Sequence, residues 1–495
     1  MKNFISTRGG QAPLDFIHAI VQGIGCDGGL LVPDRLPEPL DFHELINLDY
    51  IQLASRVISA FVPGDMKNLV HEACTRAYGD GSFPTEVVPV VKAGDIFIAE
   101  LFHGRTAAFK DMALSILPHF MTLSLERLHE DRRVMILAAT SGDTGKAALE
   151  GFRDVPGTSI MVFYPTDGVS AIQKRQMVTQ EGGNVRVIGI RGNFDDAQRA
   201  VKNAFADPAI KKECDAHGIF LSSANSINIG RLLPQVVYYV SSYLELVRRG
   251  EVAFGGKVNF CVPSGNFGNC LAGWIAMKLG VPVGKFIIAS NRNNILTDFF
   301  RTGRYDTRRE FYKTNAPAMD ILVSSNLERL LWFMSDGSEE TARCMKELGS
   351  DGCYDVSDEL MSKIRGLFYA GYAREDEAVA AIRECYVNDA YLLDTHTACG
   401  YHTVRGYREE TGDDTPVILM STASPYKFPE SVCSAICGSV PDDVFSAAEE
   451  LNRITSVPVP APLDGLRDRK ILHAEVIDKT EIPGVIIDAI KKKEK

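Results

Sequence analysis

The feature that most constrains this chain is an alternation. Short β-branched and apolar runs recur at 96–101, 134–138, 160–164, 185–190, 258–262, 286–289 and 417–420. Between them lie helical stretches, among them one starting near Ala107 and others at 147–152 and 271–279. Short buried strands joined by helices predict parallel sheets covered by helices on both faces. Composition supports a folded chain, since 45% of the 495 residues are hydrophobic, too many for a disordered one. The stretch 300–400 reads differently, richer in charge and helix formers with few strands, and is read as a helical insertion. The segment PVPAP (458–462) reads as a linker before a tail ending in KKKEK, a solvated end. The organisation read from the sequence is an N-terminal region (1–95), an α/β domain (96–250), a second α/β domain (251–300 and 400–457), the insertion (300–400), and a linker with tail (458–495).

Several functions are excluded early. The net charge of −11 argues against a general nucleic-acid binder. No apolar run of about 18 residues exists, so no membrane span is expected. The N-terminal MKNFISTRGG lacks the apolar core of a secretory signal. The 11 cysteines include no CxxC pair, which argues against a disulfide framework or a metal site and for a cytoplasmic setting.

Two strand–turn–helix units carry Gly-rich turns, AATSGDTGKAA (138–148) and VPSGNFGNCLAG (262–273). Such a turn aims free N–H groups outward at a helix N-terminus, which favours an anion. A P-loop would need Gly at Thr140 and Ser or Thr at Ala147. A dinucleotide fingerprint would need GxGxxG, whereas the second turn has only Gly265 and Gly268, and a nicotinamide oxidoreductase is thereby disfavoured. A phosphate cup without a nucleotide signature remains, and a plain tight turn remains beside it.

Lys110 is the sharper signal. Apolar residues at Phe109, Met112, Ala113, Ile116, Leu117 and Phe120, with Leu114 and Met121 on the other side, predict a buried helix with Lys110 just inside its start. Lysine is rarely buried without a partner. Its stem snorkels outward, or its desolvated amine is a nucleophile. The residues alone leave both open. A phosphate cup and a buried lysine in one α/β protein suggest pyridoxal phosphate.

At these residues the chain resembles the threonine synthases, the long form of bacteria and fungi. STRGG (6–10), DGGLLVP (27–33), FHGRTAAFKD (102–111), TSGDTG (140–145), SANSINIGR (223–231), PSGNFGN (263–269), PAMDILVSSNLERLL (317–331), DTHTA (394–398) and STASPYKFP (421–429) match in order. The resemblance implies two parallel-sheet domains of the tryptophan synthase β-like, type II pyridoxal-phosphate fold. It implies conversion of O-phospho-L-homoserine and water to L-threonine and phosphate by a monomer. It implies that Lys110 takes the cofactor aldehyde and acts in catalysis. Gly265, Asn266, Phe267, Gly268 and Asn269 would cradle the cofactor phosphate, and Thr422 would meet the pyridine nitrogen. Ser141, Asp143 and Thr144 would hold the substrate carboxylate and ring edge, and Asn225, Ser226 and Arg231 the substrate phosphate. His396 is expected to be a hydrogen-bonded junction residue. Arg105, where the family usually has Pro, and Ala107, where it usually has Leu or Cys, are departures, and Arg105 would stiffen the loop differently or add a cation near the cofactor. A phospholyase giving 2-oxobutanoate and a non-catalytic binding protein are the alternatives.

Overall fold

The computed structural model describes residues 2–192, 194–335 and 337–492. The last three residues of the KKKEK run lie outside them. Two sheets organise the chain. The larger has six strands in the order Phe368–Tyr372, Val283–Ser290, Val258–Pro263, Val417–Ser421, Ile96–Glu100 and Val90–Ala93. All neighbours in it are parallel except the last pair. The smaller has five parallel strands in the order Val476–Asp478, Val185–Arg191, Thr158–Pro165, Arg133–Ala139 and Ile219–Ser223. The expected α/β class with two parallel sheets is the observed one. Central strands such as Val258–Pro263 are buried along their whole length, as strands covered on both faces must be.

The structure redraws parts of the expected organisation. Ile96–Glu100, expected with the strands that follow it, pairs instead with Val417–Ser421 in the large sheet. The 300–400 stretch is mostly helical, but its strand Phe368–Tyr372 pairs with Val283–Ser290 and forms the edge of that sheet. The tail is not a loose end. Val476–Asp478 extends the small sheet, and the helix Ile482–Lys491 buries Ile482, Ile486 and Ile490.

The helix expected from Ala107 is in fact two, Asp111–Leu114 and Leu117–Leu128. Pro118 explains the break, because it has no N–H to donate to the Leu114 carbonyl. That carbonyl is packed by Gly151, where an added Cβ would stand 2.1 Å from Leu114 O. Lys110 is consequently the N-cap of the short first helix and not a residue of its interior.

Candidate active site

Five segments leave the carboxyl ends of parallel strands and converge on one cavity of about 250 Å³. The residues expected to hold cofactor and substrate line it: Lys110, the turns with Ser141, Asp143 and Thr144 and with Gly265, Asn266, Phe267, Gly268 and Asn269, the segment with Asn225, Ser226 and Arg231, and Thr422.

The Lys110 loop is stitched to the segment after Val417–Ser421. Phe109 N–H donates to Thr422 O at 2.8 Å and Ser424 N–H to Ala107 O at 3.1 Å. Ala107 has φ 57°, a left-handed conformation that disfavours a branched side chain. Asp111 accepts from Thr106 N–H at 2.8 Å and Thr106 Oγ1 at 2.7 Å, which closes the loop. The Lys110 amine lies 3.9 Å from the centre of the Phe109 ring. Burial pushes its pKa down to about 7, with Asp143 working upward and Arg231 and Lys427 downward.

The second turn joins Val258–Pro263 to the helix Gly268–Lys278. Phe267 takes φ 60° and packs its ring against Phe300 and Phe368, so only its backbone faces the cavity. Gly265 is required, because a Cβ there would stand 2.6 Å from Ala318 O. Asn269 Oδ1 accepts from the Tyr238 and Tyr239 hydroxyls, both at 2.7 Å, which turns its amide nitrogen away from them. That nitrogen and Ser264 Oγ are buried without a partner. Buried donors left unpaired are costly, so donors converging at a helix N-terminus suit an anion such as the phosphate of pyridoxal phosphate. The residues present therefore fit that group.

In the first turn Thr140 Oγ1 accepts from Gly142 N–H at 2.9 Å and Gly145 N–H at 2.8 Å and holds the loop shape. Asp143 opens the helix Asp143–Phe152 but is not free. Its Oδ1 accepts from Gln173 Nε2 at 2.9 Å and stands 2.9 Å from Lys427 Nζ. Burial works to raise the Asp143 pKa, but Lys427 and Lys110 outweigh it and hold it down to about 2. An ionised carboxylate repels another, so Asp143 does not suit the substrate-carboxylate role expected of it.

Arg231 is buried, and its Nη1 donates to Ala224 O at 3.0 Å. Its Nε has no partner among the described residues. Burial lowers its pKa to about 10. Ser226 meets Ser325 across the same wall at 3.4 Å. His396 Nδ1 faces Asp394 Oδ1 at 2.9 Å and its Nε2 accepts from Ala318 N–H at 3.0 Å, the junction role expected of it. Arg105 points away from the cavity and pairs with Asp80, so it adds no cation beside Lys110.

Sequence reasoning missed Lys427, Gln173 and Ser264. Lys427 did carry a signal, a lysine between Tyr426 and Phe428 just after a buried strand. Gln173 carried another, three residues after Ser170 in a capping box.

The fold and this cavity define a pyridoxal-phosphate dependent enzyme, and the family model described in those words matches residues 81–423. The models for the threonine synthase N terminus and C-terminal region match 3–78 and 397–479. The chain is 38% identical to threonine synthase of Pseudomonas aeruginosa over 88% of this chain and 91% of that protein. It superposes on the pyridoxal-phosphate-bound threonine synthase of Brucella melitensis with a TM-score of 0.87 and 35% identity, covering 99% and 100% of the two chains. It is also 38% identical to human threonine synthase-like 1 over 85% of this chain, but spans only 58% of that protein's length. The chain belongs to the threonine synthase family. The fold is the type II architecture that the resemblance implied.

Proposed function

We propose that the chain releases phosphate from O-phospho-L-homoserine and adds water to give L-threonine, with Lys110 as the catalytic lysine. The observation that carries this is a pair of anion cradles in one cavity: the turn at Gly265–Asn269 and the buried guanidinium of Arg231, whose Nε has no partner among the described residues. One fits the cofactor phosphate and the other a phosphate on the substrate.

Pyridoxal phosphate, when bound, supplies the electron sink for proton removal beside the substrate amine. Lys110 Nζ would hold the cofactor aldehyde and would take and return the Cα proton, a task suited to an amine near neutrality, while a second proton leaves Cβ as the phosphate departs and one is delivered to Cγ before water adds at Cβ. The turn at 265–269, with Ser264 Oγ and Asn269 Nδ2, would hold the cofactor phosphate, and Thr422 would serve the pyridine nitrogen. Arg231, Asn225 and Ser226 hold the substrate phosphate. The hydroxyls of Ser141 and Thr144 and the start of the helix Asp143–Phe152 receive the substrate carboxylate, while Asp143 stays with Lys427. Phe109, Ile227 and Met319 line the remaining wall and limit early entry of water.

We also infer a cytoplasmic monomer. All 11 cysteines are free. The exposed large apolar residues, such as Phe205, Phe254, Phe311 and Val387, come from separate segments. Among the described residues no helix is long and apolar enough to cross a membrane.

Product analysis tests the reading. The chain loaded with pyridoxal phosphate should release phosphate and threonine in equal amounts from O-phospho-L-homoserine. Phosphate with 2-oxobutanoate would mark a phospholyase. Cofactor binding without turnover would mark a binding protein.

A further inference from the structure

Lys427 is fully buried, yet it is not the lysine expected to hold the cofactor. It closes the turn Pro425–Lys427 beyond the large-sheet strand Val417–Ser421. An ammonium has three N–H donors, and three acceptors surround this one. They are Gln176 Oε1 at 2.6 Å, Thr106 O at 3.0 Å and Asp143 Oδ1 at 2.9 Å. They come from the helix Ala171–Val178, the loop before Lys110, and the first turn of the helix Asp143–Phe152. Lys427 thus ties the small-sheet side of the cavity to the loop that carries Lys110.

Asp143 is the critical neighbour, because it attracts Lys427 and Lys110 alike. A buried carboxylate without another cation would claim the Lys110 ammonium. We propose that Lys427 is a positioning residue: by engaging Asp143 it leaves Lys110 a free amine instead of the partner of a buried acid. This deepens the reading of Lys110 as the cofactor lysine and rests on it.

The charged groups facing Lys110 are Asp143, Arg231 on the helix Ile229–Arg248, and Lys427. Asp111, next in its own helix, is engaged by Thr106. Asp320, His396 and Lys202 also line the cavity. The sign follows from these charges. Removing the Lys427 charge abolishes a repulsion and releases Asp143 toward Lys110, so the amine keeps its proton to higher pH. Removing the Asp143 charge does the opposite.

The test uses the full-length chain freed of cofactor, pulse-acetylated with acetic anhydride across pH, with the extent of labelling read on the Lys110 peptide by mass. Lys427→Met should raise the labelling midpoint by about one pH unit or more. Lys427→Arg should leave it near the parent value, and Asp143→Asn should lower it. A purely structural lysine gives no such opposed shifts. An unchanged midpoint in Lys427→Met overturns the proposal. Should that variant fail to fold, a midpoint that does not fall in Asp143→Asn overturns it. Cofactor attachment is read separately, by borohydride reduction of the reloaded parent and peptide mass analysis. Attachment elsewhere than Lys110 would sink the reading of Lys110 and leave the labelling result standing.

Discussion

Two buried arginines show how partners separate structure from function. Arg329 donates from Nε to Leu31 O at 2.9 Å and from Nη2 to Ile227 O at 2.5 Å, and it also bonds Asn326. Its donors are used within the fold. Arg231, equally buried, leaves Nε unpaired beside the cavity. Arg231→Leu should therefore raise KM for O-phospho-L-homoserine while barely changing the binding of unphosphorylated amino acids. One charge-assisted contact is worth about 1.5–3 kcal/mol, or roughly 10- to 150-fold. Equal effects on both kinds of ligand would make Arg231 structural. Lys110 carries a pH prediction. Its amine, lowered by burial to about 7, loses its proton well before an exposed lysine does. Stopped-flow attachment of pyridoxal phosphate to the cofactor-free chain should speed up as pH rises toward neutrality and level off above it. A rate still climbing at pH 9 would contradict the burial argument.

At the scale of elements, the turn and helix built by 263–278 work as a unit. Its turn lines the cavity, with Gly265 packed close to Ala318 and Phe267 in a left-handed backbone conformation. Asn266→Asp puts a carboxylate where a dianion is to sit. Cofactor retention, measured by equilibrium dialysis, should weaken by at least roughly tenfold, and more if the site is dry. Unchanged retention would move the cofactor phosphate to another turn. The broken helix makes a second element-scale prediction. Gly151 lies against the Leu114 carbonyl that Pro118 leaves open. Gly151→Ala overpacks that contact and should cost about 1–3 kcal/mol in urea unfolding, without altering residues of the cavity.

At the scale of the whole molecule, the two sheets meet where their strand ends face one cavity, and the chain's last described helix seals the smaller sheet. Ile486→Ala should lower stability by about 2–5 kcal/mol although it lies far from Lys110 in sequence. An effect near zero would mean the tail docks weakly. Much of the site was legible in the sequence because its residues follow strands with strong apolar runs, so that strand, turn and helix could be placed together. The pairing of Ile96–Glu100 with Val417–Ser421 was not legible, since nothing local records a partner three hundred residues away. Nor was Val476–Asp478, too short to show a period. Lys427 escaped because a buried lysine gains meaning only from the acceptors that tertiary structure brings to it. Borohydride reduction of the loaded protein followed by peptide mass analysis shows whether Lys110 holds the cofactor in this cavity. The pyridoxyl mass should appear on the peptide carrying Lys110, and its appearance on Lys146, Lys427 or any other lysine would contradict the account.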